Sequence, residues 1–188
     1  MCAGFIPKRA LWPYTALTRR VRVSLSSCGA WQVLGLCAIL KSPMTYIVSL
    51  LLRHWQATTL FSVDDATITM MLEELEHGYI STNPYHNATH AADVAYTTHV
   101  MLVNGVRESL GLSDLQCATC VIAAAAHDFR HPGIGANYLI AIGDDLALTY
   151  NDKSPLESFH TSEFFRMLKS KGVRATRMIE PRSALIAL

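Results

Sequence analysis

Beyond the first 30 residues, which hold no sustained period, apolar positions recur at the three- and four-residue intervals of a helix face. Pro43 to Trp55 reads as a buried helix. Ser62 can cap the next one, whose first turn carries Asp64 and Asp65 and whose apolar positions are Ile68, Met71, Leu72 and Leu75. His77-Gly78 is a stop signal, and Ser81-Thr82-Asn83-Pro84 is a turn, because proline restricts the residue before it. A third helix is expected from about Asn87 to Val103, stopping at Asn104-Gly105. A fourth begins at Ser113, where the spacing to Gln116 makes a capping box, and runs through Leu115, Cys117, Val121, Ile122 and Ala123 to Ala126. Pro132-Gly133 breaks the pattern. Further helices are expected over Asn137 to Ala141 and Pro155 to Leu168. No alternating run bounded by turns reads as a strand, so the predicted fold is all-α.

A length of 188 residues favours one domain, and 51% apolar against 16% charged residues excludes a disordered chain. The net charge of +1 gives no overall attraction to nucleic acid or to a membrane. Its distribution is uneven. No acidic residue precedes Asp64, and the rest of the chain carries 15 acidic against 9 basic residues. Such a start resembles an organelle transit peptide in composition; the simpler reading is a variable basic extension over residues 1–30. Leu34 to Leu52 is apolar enough to raise the question of a membrane span. Lys41 and Pro43 divide it into pieces too short to cross a bilayer, so two core helices are expected, and membrane association is not favoured. Five cysteines without a secretory signal point to reduced thiols and a cytoplasmic location. Cys117 and Cys120 lie in an apolar helical run with no second pair to close a zinc site, so core packing is their expected role.

Two histidine clusters change the picture. In the first, His86 and His90 are four residues apart and Asp93 follows three later, so all three share one helix face. A carboxylate there can hold an imidazole in the orientation a metal or substrate needs. Solvated histidines on an amphipathic helix are the alternative. In the second, four alanines, Ala123 to Ala126, deliver His127-Asp128 to a helix end, with His131 four residues on. A buried His beside a buried Asp is costly unless a positive charge sits between them, and a divalent cation supplies one. Together, His90, His127 and Asp128 make a nitrogen–nitrogen–oxygen donor set suited to zinc, and the second oxygen of Asp128 can reach a harder ion such as magnesium. Paired ions of this kind serve phosphate-ester hydrolysis.

The stretch from Asn83-Pro84-Tyr85-His86-Asn87-Ala88-Thr89-His90 to Val94 resembles the first motif of the class I cyclic nucleotide phosphodiesterases, helical relatives of the HD-type metal phosphohydrolases. His127-Asp128-Phe129-Arg130-His131-Pro132-Gly133 resembles the second motif. Leu146 to Asp152, followed by Pro155-Leu156-Glu157, resembles a third, and Glu74 to Tyr79 is similar to the lead-in of the first. The resemblance covers about Trp31 to Leu168 and implies a partial catalytic domain over residues 31–170, with a divergent tail over 171–188. It implies hydrolysis of cyclic AMP, cyclic GMP or both to the 5′ monophosphate. His86 would be the general acid, and His90, His127 and Asp128 the ligands of zinc. Asp128 would also reach a second ion, usually magnesium, or manganese. His131 and Glu157 would hold that ion's waters, Asp93 would support the ligands, and Tyr85 would lie at the substrate.

The chain departs from the family pattern at Ala136, where the family has Asn and this chain has Asn137 one place later. It departs again at Phe159-His160, where the family tends to have paired histidines. The family's fourth metal ligand, its purine-reading Gln and its clamping aromatic all fall after the position of Leu188. The expectation is therefore an incomplete site with reduced or no activity in isolation, and a protein partner covering the exposed half-core. Glu163 and Glu180 are expected on the solvated surface. The alternatives to an enzyme are a non-catalytic fragment that pairs with another phosphodiesterase chain and a membrane-associated regulator.

Overall fold

The computed structural model describes residues 40–171, and among these every regular element is helical, as the apolar periodicity predicts. The elements are α1 (Pro43–His54), α2 (Ala57–Phe61), α3 (Asp65–Gly78), α4 (Ala88–Met101), α5 (Arg107–Leu110), α6 (Asp114–Ala126), α7 (Ala136–Ile142), α8 (Asp145–Thr149) and α9 (Pro155–Ser170). The basic start, residues 171–188 beyond Lys171, and Glu180 lie outside the described residues. So does the first half of the Leu34–Leu52 stretch. Its second half is α1, a 12-residue helix, and no described helix is long and apolar enough to cross a membrane.

Local chemistry explains most of the boundaries. Asp64, rather than Ser62, caps α3: its carboxylate accepts the Thr67 N–H at 2.7 Å. Ser62 instead closes the short α2 in a left-handed conformation, φ 53°. An anionic oxygen two residues nearer the helix is the better acceptor for its free N–H groups and favours its positive end. Ser113 and Gln116 form the expected capping box of α6. The chain kinks at Asn104-Gly105 as the sequence predicts: Asn104 (φ −100°, ψ 29°) leaves the helical region and Gly105 takes φ 112°, a conformation open to glycine. The helix N-terminus of α1 finds its acceptor on another helix: the Glu76 carboxylate takes the Met44 and Thr45 N–H groups at 3.2 and 3.0 Å and the Thr45 hydroxyl at 2.6 Å.

One core joins α1, α3, α4, α6 and α9, and includes Met44, Leu51, Leu72, Val121, Phe129 and Leu168. The helices α4 and α6 pack against each other, and alanines make up much of what each buries: Ala91, Ala92 and Ala95 on α4, beside Tyr96 and His99, and Ala118, Ala125 and Ala126 on α6, beside Cys117, Val121 and Ile122. Side chains this small let two helix backbones approach closely. Cys117 is buried in this core and Cys120 packs against it, in the structural role expected, and both are free thiols. A smaller cluster, Leu139, Ala147 and Leu156, holds α7, α8 and α9 together. Outside it, Ile134, Tyr138, Ile142 and Leu148 are exposed.

Gly78 ends α3 directly under Phe129. A Cβ added there would lie 2.0 Å from Phe129 Cε2, and Phe129 is itself fully buried one residue after Asp128. Gly78→Ala is expected to destabilise the fold by about 1–3 kcal/mol, measured by urea unfolding.

His99 is a buried titratable group on α4. Trp55 donates its indole N–H to His99 Nδ1 at 3.0 Å, so that nitrogen must carry a lone pair. Burial, reinforced by the facing His54, lowers its pKa to about 4. As pH falls from about 6.5 towards about 4, the unfolded chain takes up a proton that the folded chain refuses. Stability is therefore fully present above pH 6.5 and is lost across that window, by about 3 kcal/mol. Urea midpoints of the parent chain and His99→Phe should diverge above pH 6.5 and converge near pH 4; a constant difference would contradict this.

Candidate metal centre

The two histidine clusters meet where the close-packed ends of α4 and α6 lie together. Asn87 caps α4, its side-chain oxygen accepting the Thr89 and His90 N–H groups at 3.0 and 3.2 Å, which holds His90 on the first turn; His86 lies in the bend before the cap, so it does not share the helix face of His90 and Asp93 that its spacing predicts, because the helix starts only at Ala88. His127 is the C-cap of α6, so the helix ends as Asp128 begins the turn. The adjacent His127 and Asp128 side chains converge there, as the Pro-Gly break predicts.

Asp128 is the hub. Its Oδ2 lies 3.1 Å from His127 Nε2, 3.6 Å from His90 Nε2 and 4.0 Å from His86 Nε2. Its Oδ1 lies 3.8 Å from His160 Nε2. Donor atoms of His90, His127 and Asp128 all fall within 4.8 Å of one another, as do those of Asp128, His131 and His160. Either group can hold a metal ion.

Electrostatics favour that use. Burial pushes the Asp128 carboxyl up, but the hydrogen bond and charge of His127, with the fields of His160 and His131, outweigh it and bring its pKa down to about 2. Burial pushes the imidazoles of His90, His131 and His160 down, aided by like charge from their neighbours, which leaves them in the neutral form that binds metals. Burial lowers His127 too, but the hydrogen bond to Asp128 prevails and raises it. Several rings are also oriented by backbone. His127 Nδ1 donates to the Ala124 carbonyl at 2.9 Å, which turns its Nε2 towards Asp128.

The remaining predicted residues lie around this hub. The His86 ring stacks on His131, centroids 3.8 Å apart, and its side chain is 39% exposed, enough to face a substrate. Tyr85 is exposed with its ring 4.4 Å from that of His90. Asp93 sits one turn along α4. Its field favours a charged His90, and its Oδ1 is buried with no hydrogen-bond partner. Glu157 is exposed on the first turn of α9, and its charge partly offsets the lowering of the His160 pKa by burial.

Three features go beyond the sequence reading. His160 points into the cluster from α9; its only sequence signal was the departure at Phe159-His160. Asn83 straps the two motifs together, its amide donating to the His86 carbonyl at 3.1 Å and the His131 carbonyl at 2.8 Å. Gly133, at φ 81°, leaves the room this requires, since a Cβ there would lie 2.7 Å from Asn83 Oδ1. Glu163 is not on the solvated surface. It is 8% exposed and accepts hydrogen bonds from Arg130 and Arg166, which anchors Arg130 in its left-handed conformation, φ 61°, between Asp128 and His131. A carboxylate buried in this way is held by its two guanidinium partners.

The family model described as 3′5′-cyclic nucleotide phosphodiesterase matches residues 85–184, which includes both histidine clusters and runs on past Lys171. A Caenorhabditis elegans protein named "Probable 3′,5′-cyclic-AMP phosphodiesterase pde-4" is 38% identical over 126 residues, covering 67% of this chain and 18% of that one. Among solved structures, the phosphodiesterase domain of the RhoPDE fusion protein from the choanoflagellate Salpingoeca rosetta superposes with a TM-score of 0.67 at 27% identity, covering 74% of this chain and 43% of that one. A second structure, titled as the phosphodiesterase domain of the rhodopsin phosphodiesterase of the same organism, shares the fold with a TM-score of 0.71, covering 88% and 48%. The chain belongs to the 3′,5′-cyclic nucleotide phosphodiesterase family. It spans about a fifth of the length of that curated relative and a little under half of the matched structures.

Removing the Asn83 strap leaves two part-buried carbonyls without their donor. Asn83→Ala is expected to cost about 1–3 kcal/mol and to weaken zinc binding about tenfold, read by urea unfolding and calorimetry. Unchanged zinc affinity would mean that the strap does not set the spacing of the two motifs.

Proposed function

We propose that this chain is the metal-binding part of a phosphodiesterase that hydrolyses a 3′,5′-cyclic nucleotide to its 5′ monophosphate. The observation that carries this reading is the convergence of His90, His127 and Asp128, from two separate helices, within 4.8 Å. The donor chemistry fits metal ions. The carboxyl is ionised well below neutral pH, His131 and His160 are buried beside it, and His160 Nε2 has no hydrogen-bond partner among the described residues.

His90, His127 and Asp128 would hold a zinc ion. The other oxygen of Asp128 would reach a second dication, magnesium or manganese, with His131 and Glu157 around it. Such ions supply Lewis acidity, which lowers the pKa of water and offsets negative charge on the phosphoryl group. The chain's own residues do the rest. Asp128 and the imidazoles around it would hold those ions, and through them the anionic phosphate, where the ends of α4 and α6 meet. The water oxygen forms a bond to phosphorus and gives up a proton to solvent, from which His86 is reprotonated after turnover, as the bond from phosphorus to the 3′ oxygen breaks. His86, exposed and stacked on His131, gives its proton to the departing 3′ oxygen. The Tyr85 ring, exposed beside both His86 and His90, closes one side of the pocket over the substrate. The names of relatives such as the Caenorhabditis elegans protein point to cyclic AMP as the first substrate to test.

Hydrolysis of cyclic AMP and cyclic GMP by the zinc- and magnesium-loaded chain is the direct test. His86→Gln is expected to lower kcat about 10²–10⁴-fold while zinc content stays at the parental value. A loaded chain that binds zinc and turns over neither nucleotide would favour a second reading, a non-catalytic fragment that pairs with another chain through the exposed Ile134, Tyr138 and Ile142.

A further inference from the structure

The turn that carries Asp128 out of α6 holds one residue in a conformation its side chain disfavours. The His131 N–H closes the turn on the Asp128 carbonyl at 3.0 Å, and Arg130, its third residue, takes φ 61°. A positive φ at that position ordinarily calls for glycine or asparagine. An arginine stays there only where its surroundings hold it.

Several partners grip this turn. The Gly133 N–H donates to His131 Nδ1 at 2.9 Å, and the Asn83 amide donates to the His131 carbonyl. From α9, His160 Nδ1 donates to the Phe129 carbonyl at 2.8 Å. Three residues further along the same helix, the Glu163 carboxylate accepts from the Arg130 guanidinium. This last contact acts on the strained residue itself. The guanidinium also lies over the Phe129 ring, 5.4 Å from its centroid. The Glu163 side chain is 10% exposed and that of Arg130 53%. The buried partner stands on a 16-residue helix and the exposed one on the turn, so the pair ties the turn to α9. Arg166, on α9 itself, takes the other carboxylate oxygen.

We propose that Arg130 and Glu163 are positioning residues, a charged clamp that holds the turn so that the Asp128 carboxylate stays aimed at the ion it would share with His90 and His127. A charge-assisted pair with a planar guanidinium fixes direction as well as distance. Its loss leaves no buried charge alone: Arg130 is half-exposed and water meets it, and Glu163 keeps Arg166. The clamp therefore governs metal affinity more than it governs folding. The inference rests on the reading of this cluster as a metal centre and adds the residues that set its geometry.

The test uses the full 188-residue chain, stripped of metal and titrated with zinc by calorimetry, beside urea unfolding of the metal-free protein. Arg130→Gly is the informative variant, because glycine takes the positive φ freely while the clamp is lost. It should keep the parental urea midpoint and bind zinc about 10- to 100-fold more weakly. Glu163→Gln should weaken zinc by a similar factor, and the double variant no further than either alone. Arg130→Lys, which keeps a charge on Glu163, should lie nearer the parent, and Arg166→Ala should match it. The visible spectrum of bound cobalt, which reports ligand geometry, should change in Arg130→Gly and not in Arg166→Ala. Parental zinc affinity in Arg130→Gly, additive losses in the double variant, or an equal loss in Arg166→Ala would overturn the clamp and leave the metal centre standing. A parent chain that binds no zinc would overturn the metal-centre reading and the clamp with it.

Discussion

The close approach of α4 and α6 is the constraint on which the site depends. Both helices bury several alanines, small residues that suit a close approach of the backbones carrying His90 and Asp128. The distances around Asp128 follow from that contact, and a bulkier interface would move the two motifs apart together. The neighbouring elements reinforce the geometry without creating it. Asn83 joins the loops before α4 and after α6, Glu163 fixes Arg130, and Tyr79 donates its hydroxyl proton to the Ala125 carbonyl at 2.9 Å near the end of α6.

Four imidazole nitrogens within about 4 Å of one carboxylate form an unusual concentration of titratable groups. Burial discourages charge on most of the rings, while the carboxylate stays ionised because His127 faces it. The surrounding protein thus presents lone pairs and one negative charge to a common point. A cation is the species that satisfies all of them at once, which is why the same arrangement that destabilises an empty interior suits a metal centre.

The all-helical fold, the capping box at Ser113, the core positions of α3 and the membership of His90, His127 and Asp128 in one cluster were legible in the residues alone. Each follows from local spacing or from a long, ordered motif. The helix cap at Asp64 was misplaced by two residues, since serine and aspartate are both good caps and only the backbone path decides between them. The short helices α2, α5 and α8 carry too few residues for a period to show. Glu163 was read as a surface residue because acidic side chains usually are; its burial depends on Arg130, 33 residues away.

Local sequence determined which segments coil, where most of them stop, and which side chains share a face, because those outcomes depend on neighbours within one or two turns. The tertiary structure alone decided that His160 joins the cluster, that Asn83 straps its two halves, and which ring nitrogen of His131 and of His160 bears the proton. Those outcomes rest on contacts with backbone groups brought close only when the helices pack: Phe129 for His160, His131 for Asn83. No property of the contacting residue's own segment encodes such a partner, so these contacts became visible only in the folded chain.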